Sequence, residues 1–131
     1  MKNENIARKV RDKYGDSVEE FAFRLGVAPA TIMKWELGFK LNSLHSSILE
    51  YAYKYDMSMK HEAPDFFDKF SARYKIDYLM DYYCCSVDAL AIRLRIDKLS
   101  LRRWKTTNSL SACAKRFLCE VVAHPERFTL F

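Results

Sequence analysis

Apolar positions along this chain fall at helical spacing from the first residues onward. Ile6, Val10 and Tyr14 recur at i, i+4 and i+8, a stripe that predicts a helix over residues 4–14, with Gly15 where a helix-ending residue belongs. Ser17, followed three residues later by Glu20, predicts a capping box, and Val18, Phe21, Ala22 and Leu25 form the buried face of a second helix closed by Gly26. After Gly26-Val27-Ala28, Pro29 stands at the first position of a third helix, where its missing N–H does no harm. Ile32 and Trp35 fall on one face of that helix, Pro29, Ala30, Met33 and Lys34 on another, and Gly38 ends it. A fourth helix, over about residues 42–55, buries Leu44, Ile48, Leu49, Ala52 and Tyr55.

The same pattern then returns 69 residues on. Ser17-Val18-Glu19-Glu20-Phe21-Ala22-Phe23-Arg24-Leu25 reappears as Ser86-Val87-Asp88-Ala89-Leu90-Ala91-Ile92-Arg93-Leu94, and the same offset pairs Tyr14 with Tyr83, Trp35 with Trp104 and Leu49 with Leu118. One register held without a gap through four helical patterns indicates an internal duplication. In the second copy Ser86 caps a helix to Leu94, Asp97 caps one over residues 98–105, Leu101 and Trp104 repeat the buried pair, and a last helix over residues 110–122 is stopped by Pro125. Between the copies, residues 57–63 read as loop. Pro64-Asp65 then opens an aromatic-rich stretch with Phe66, Phe67, Phe70, Tyr74, Leu79 and Tyr83, which either packs on both units or fills the second core alone.

With three Gly and three Pro in 131 residues there is little material for the turns of a sheet, so the expected class is all-α: a first unit over 1–56, a linker over 57–75 and a second unit over 76–131. No apolar run approaches the roughly 20 residues of a membrane span and no signal-like segment follows Met1, so a cytoplasmic protein without membrane contact is expected. Cys84, Cys85, Cys113 and Cys119 lack a CxxC pair and are read as reduced, buried thiols, with no metal site. The net charge of +5 is unevenly placed: residues 1–56 carry 9 basic and 8 acidic side chains, residues 86–131 carry 9 and 4. A basic half is an electrostatic footprint for a polyanion.

The stretch from Ser17 to Gly38, with its FAxxLGVxxxTxxxWExG pattern, resembles the Cro/repressor-type (XRE-like) helix-turn-helix family, and within it the HigA/MqsA-like antitoxin-type regulators. The likeness spans about 35 residues of the first copy. It is weaker in the second, where Trp104-Lys105-Thr106-Thr107 replaces the WExG ending; His124-Pro125-Glu126 is similar to the segment that follows the last helix in that branch. The resemblance implies two tandem units of the lambda-repressor-like type, packed through the aromatic-rich linker, each placing its third helix in a major groove of duplex DNA. It also implies that Arg103, matching a base-reading position, contacts a base. Many members carry Gln at the start of the second helix to clamp a phosphate; Val18 and Val87 stand there in this chain.

Independently of the family, a groove about 12 Å wide admits one helix that has an apolar face to dock and short or basic side chains on the other. Over residues 98–105, Leu101 and Trp104 supply the anchor and leave Lys98, Leu99, Ser100, Arg102, Arg103 and Lys105 as candidate contacts. In the first copy Pro29, Ala30, Thr31, Met33 and Lys34 offer one charge and small or apolar surfaces, suited to thymine methyls or groove shape. Lys40, Asn42 and Ser43, and in the second copy Asn108, Ser109 and Ser111, are placed to meet phosphates. The expected function is therefore sequence-specific binding of double-stranded DNA as a transcriptional regulator. Its type would be a repressor of phage, plasmid or toxin–antitoxin systems, reading a bipartite site. The alternative is a protein-interaction module with degenerate DNA binding, its partner a protein such as a toxin; homodimerisation stays open. No nucleophile, carboxylate pair or phosphate loop stands out, so neither catalysis nor a cofactor is expected.

Overall fold

Among the described residues, each helix but one begins where a side chain accepts a backbone N–H that the helix leaves without a partner. In the computed structural model, which describes residues 5–59 and 71–128, Asn5 caps α1 (Ile6–Tyr14) and Asn42 caps α4 (Ser43–Lys54). Ser17 and Glu20 form the reciprocal capping box of α2 (Val18–Leu25). The exception is α3 (Pro29–Glu36), which has no side-chain cap and carries Pro in its first turn. Ser71, Ser86, Asp97 and Ser111 cap α5 (Ala72–Tyr83), α6 (Val87–Leu94), α7 (Lys98–Thr107) and α8 (Ala112–Ala123), and a 3₁₀ turn, Pro125–Phe128, follows. The fold is all-α, with no strand among the described residues. No helix among them is long and apolar enough to cross a membrane.

The chain divides into two compact units, Met1–Lys60 and His61–Phe131. In the first, α1 packs on α2, α3 and α4, and α2 on α3; in the second, α5 packs on α6, α7 and α8, and α6 on α7. The boundaries follow the sequence register: α2 and α6, and α4 and α8, start and stop 69 residues apart, while α1 and α5 end on Tyr14 and Tyr83. α7 starts at the position equivalent to Pro29 and runs two residues further than α3.

The cores correspond position by position. Val10, Leu25, Ile32, Trp35 and Leu49 are buried, and so are Leu79, Leu94, Leu101, Trp104 and Leu118. Volume is exchanged rather than lost: Phe21 and Ile48 of the first core become Leu90 and Phe117 in the second, all four with no exposed surface, so the large ring moves from the second helix to the fourth. Ala7 and Ala52 become Ile76 and Val121.

A second repeated device secures the chain after the fourth helix. The Tyr14 hydroxyl lies 2.7 and 2.8 Å from the carbonyls of Ala52 and Tyr55 and accepts the Met57 N–H at 3.1 Å. The Arg24 guanidinium stacks 4.4 Å from the Tyr14 ring centre and donates to the Met57 carbonyl. In the second unit the Tyr83 hydroxyl donates to the Pro125 carbonyl, Arg93 lies 4.2 Å over the Tyr83 ring, and its Nη1 donates to the Phe128 carbonyl at 3.3 Å. Burial pushes the Tyr83 phenol up to about 12, against the opposing pull of Arg93. The units differ in what else holds the arginine. Arg24 also grips Asp16 with Nε and Nη2 at 2.8 and 3.0 Å, and that carboxylate hydrogen bond raises the Arg24 pKa; Cys85 occupies the position equivalent to Asp16.

Several expectations need correction. Ile6 is 41% exposed, and Ala7, Val10 and Tyr14, at i, i+3 and i+7, form the inward stripe of α1. Tyr55 is only half-buried, whereas Tyr51, 5.1 Å from it ring to ring, is in the core. Met57, expected in the linker, is buried within the first unit. Tyr74 is exposed, and of the cysteines Cys113 and Cys119 are buried but Cys84 is exposed and Cys85 half-buried. Phe128 sets its ring edge-on to Phe117 at 5.7 Å. The aromatic stretch at Pro64, Phe66, Phe67 and Phe70, and the tail residues Leu130 and Phe131, lie outside the described residues.

His45 on α4 rests 4.9 Å from the Trp35 ring, and burial lowers its pKa below 6.5. The unfolded chain therefore takes up a proton that the folded one resists, so stability falls as pH drops below about 6.5. Thermal unfolding at pH 7.5 and pH 5 should show a larger loss for the parent than for His45→Gln; equal losses would remove His45 as the cause.

Candidate nucleic-acid interface

The candidate surface is the outer side of α7, which three features of the chain hold in place. Leu101 and Trp104 are buried beneath it, Asp97 accepts the Ser100 N–H at 3.1 Å at its start, and Arg95-Ile96-Asp97 joins it to α6, with Ile96 buried and Arg95 left-handed at φ 58°. Successive residues of a helix turn by 100°, so Leu99, Arg102, Arg103 and Thr106 share the outward face. Leu99 is 63% exposed, and Lys98, Arg102 and Arg103 are exposed as well.

The candidate cations of α7 are not equivalent. Among the described residues Lys98 and Arg103 make no ion pair, whereas Arg102 donates from Nε and Nη2 to the two oxygens of Asp88 in α6 at 2.9 and 2.6 Å. Lys105 is drawn aside: its Nζ lies 3.2 Å from Asp77 and 3.7 Å from the Met80 sulfur, both in α5. That contact takes the place of a first-unit staple of different make-up, where Arg11 forks onto Glu36 at 2.5 and 2.9 Å and the Glu36 hydrogen bond raises the Arg11 pKa. Met80 and Lys105 stand at the positions equivalent to Arg11 and Glu36. Lys105 thus braces α7 against α5 and, unlike Lys98 and Arg103, is engaged by an acid among the described residues.

Several polar candidates already have internal tasks. Asn108 adopts the left-handed conformation that ends α7, and its Oδ1 accepts the Ala72 N–H at 2.6 Å. Asn42 accepts the His45 N–H at 2.8 Å and Ser111 the Ala114 N–H at 3.1 Å, each as a helix cap. Ser100, in the first turn of α7, is half-buried. Ser43, also half-buried, opens α4, and Ser109 donates its N–H to Thr107 Oγ1 at 3.2 Å.

On α3 the equivalent face consists of Ala30, Met33, Lys34 and Leu37. Pro29, Ala30 and Lys34 are exposed, Thr31 is half-buried, and Met33 and Leu37 are 56% and 76% exposed. Lys40 and Phe39 beyond the helix are exposed too. The structure thus brings together Lys98, Leu99, Arg102 and Arg103 on α7, and Ala30, Met33 and Lys34 on α3. It also shows one residue that sequence reasoning passed over, Asp88. The only signal for it was an acid opening one helix and an arginine in the next.

Among the described residues no group of three or more His, Cys, Asp and Glu side chains is placed to hold a metal ion. None of the protein-family models, curated proteins or solved structures compared with the chain matches it.

Proposed function

We propose that the chain is a sequence-specific double-stranded DNA-binding protein, a transcriptional regulator of the Cro/repressor helix-turn-helix kind and of repressor type, that reads a bipartite site with α7 and, more weakly, α3. The observation that carries the reading is Arg103: exposed, without an ion pair among the described residues, and mounted on a helix whose opposite face is locked in the core by Leu101 and Trp104. A guanidinium presented in that way suits the O6 and N7 acceptors of guanine, and Lys98 at the start of the same helix suits a phosphate. The three helices α5 to α7 brace one another, so the reading side chains ride on a rigid element.

Titration against random-sequence duplex at 50 and 200 mM salt tests this. The logarithm of affinity should fall with the logarithm of salt at a slope of about −0.9 for each phosphate neutralised. Binding that is flat with salt, or no binding to duplex at all, overturns the proposal. A second reading concerns the first unit alone: the exposed Met33, Leu37 and Phe39 beside a single helix cation, Lys34, favour a protein partner there. Duplex binding that survives loss of that apolar surface undiminished would remove α3 from the DNA contact and leave that contact to α7.

A further inference from the structure

We infer that Asp88 acts as an internal competitor for DNA phosphates: by holding Arg102 it suppresses indiscriminate backbone binding and leaves recognition to Arg103. The inference rests on the DNA-binding reading above and adds to it a residue that sets specificity. Arg102 stands one position before Arg103, on the same outward face, yet two of its donor nitrogens are taken by the Asp88 carboxylate at 2.9 and 2.6 Å. Both side chains are about half exposed, 48% for Arg102 and 42% for Asp88, so the pair sits in water at the surface that would face DNA.

Stability does not explain the pair. Even a bidentate pair, when half-exposed, is screened by water and must hold two side chains in one geometry, so its contribution to folding is modest. The equivalent positions in the first unit hold Glu19 and Met33, which form no such pair, and α2 and α3 still begin where α6 and α7 do. The consequence of the pair is electrostatic and lies on the outer surface. A phosphate that recruits Arg102 must displace a carboxylate already fitted to it with two parallel hydrogen bonds. It must also approach Asp88, whose negative charge has then lost its arginine partner. Base contacts by Arg103 incur neither cost, because among the described residues Arg103 has no anion to leave. The pair therefore weakens binding that depends only on the backbone more than binding that depends on sequence, and raises the ratio between them.

The test uses the full chain and three variants, Asp88→Asn, Arg102→Gln and the double variant, with thermal unfolding run alongside to show that all four are folded. Each is titrated at 50 and 200 mM salt against random-sequence duplex and against a duplex selected by the parent from a random pool. Freeing Arg102 adds one phosphate contact, so Asp88→Asn should lose about 3-fold more random-duplex affinity than the parent across that salt range. At 50 mM salt it should bind random duplex more tightly than the parent, and its preference for the selected duplex should shrink. In the Arg102→Gln background most of that gain should vanish. An equal gain with and without Arg102 overturns the inference by showing a plain change of net charge, and so does an Asp88→Asn protein indistinguishable from a salt-sensitive, duplex-binding parent. A parent that binds no duplex overturns the DNA reading itself, and this inference with it.

Discussion

Replacing Arg24 with Ala should unfold the first unit at room temperature, or nearly so, while leaving the second intact. Arg24 and Asp16 are 11% and 5% exposed and are joined by two hydrogen bonds, so the substitution strands a carboxylate in the interior. Breaking a buried pair in this way costs about 3–5 kcal/mol, and Arg24 also stacks on Tyr14 and holds the Met57 carbonyl. A unit of some 60 residues has only a few kcal/mol in hand. Arg93→Ala, by contrast, removes a stacked cation and, among the described residues, one long hydrogen bond with no acid left stranded, and should shift the melting temperature much less. Adding Asp16→Asn to Arg24→Ala should restore much of the loss, since the orphaned charge goes with it. Circular dichroism supplies the helical signal, and Trp35 and Trp104, one in each unit, supply separate fluorescence probes in Trp-to-Phe backgrounds. Equal melting shifts for Arg24→Ala and Arg93→Ala, or no rescue by Asp16→Asn, would show that the buried pair is not what holds the first unit.

Arg103→Ala should weaken binding to a selected duplex by about 5- to 150-fold, equivalent to about 1–3 kcal/mol, and flatten the preference at one base position. Arg103 makes no ion pair among the described residues, and its truncation exposes no buried group, so the fold should be untouched. Lys40→Ala is the useful contrast. It lies beyond α3, is exposed, and should weaken every duplex alike while reducing the salt slope by about one. Selection of bound sequences from a random pool, repeated with each variant, reads both effects together. Unchanged base preference in Arg103→Ala would remove it as a reader, whatever its effect on affinity.

Much of the architecture was legible in the sequence because its signals are local. Ser17 with Glu20, Ser86, Asp97 and Pro29 mark helix starts within a residue or so, and the spacing of Ile32 with Trp35 and of Leu101 with Trp104 assigns the inward faces correctly. Periodicity was less able to choose between neighbours, as Ile6 and Ala7 illustrate, since both lie within reach of one stripe and packing against α3 and α4 decides between them. At the candidate site the sequence showed which side chains are basic and which helix carries them, but not which are already engaged. Asp88 lies 14 residues from Arg102, and Asp77 reaches Lys105 with the whole of α6 between them in the chain, so only the folded arrangement separates the braced cations from Lys98 and Arg103. The Tyr–Arg clasps were hidden for the same reason, although both arginines sit inside the repeated motif.

The first unit makes its left-handed bends after α1 and α2 with Gly15 and Gly26; the second makes the same two bends with Cys84 and Arg95, at φ 53° and 58°. A side chain with a β-carbon sits there at a penalty of roughly 1–2 kcal/mol per position. The later half of the molecule thus retains a backbone path that its own local vocabulary no longer favours, and the surrounding packing enforces it. That half carries a reserve of latent stability, recoverable at two surface turns without disturbing a single core contact.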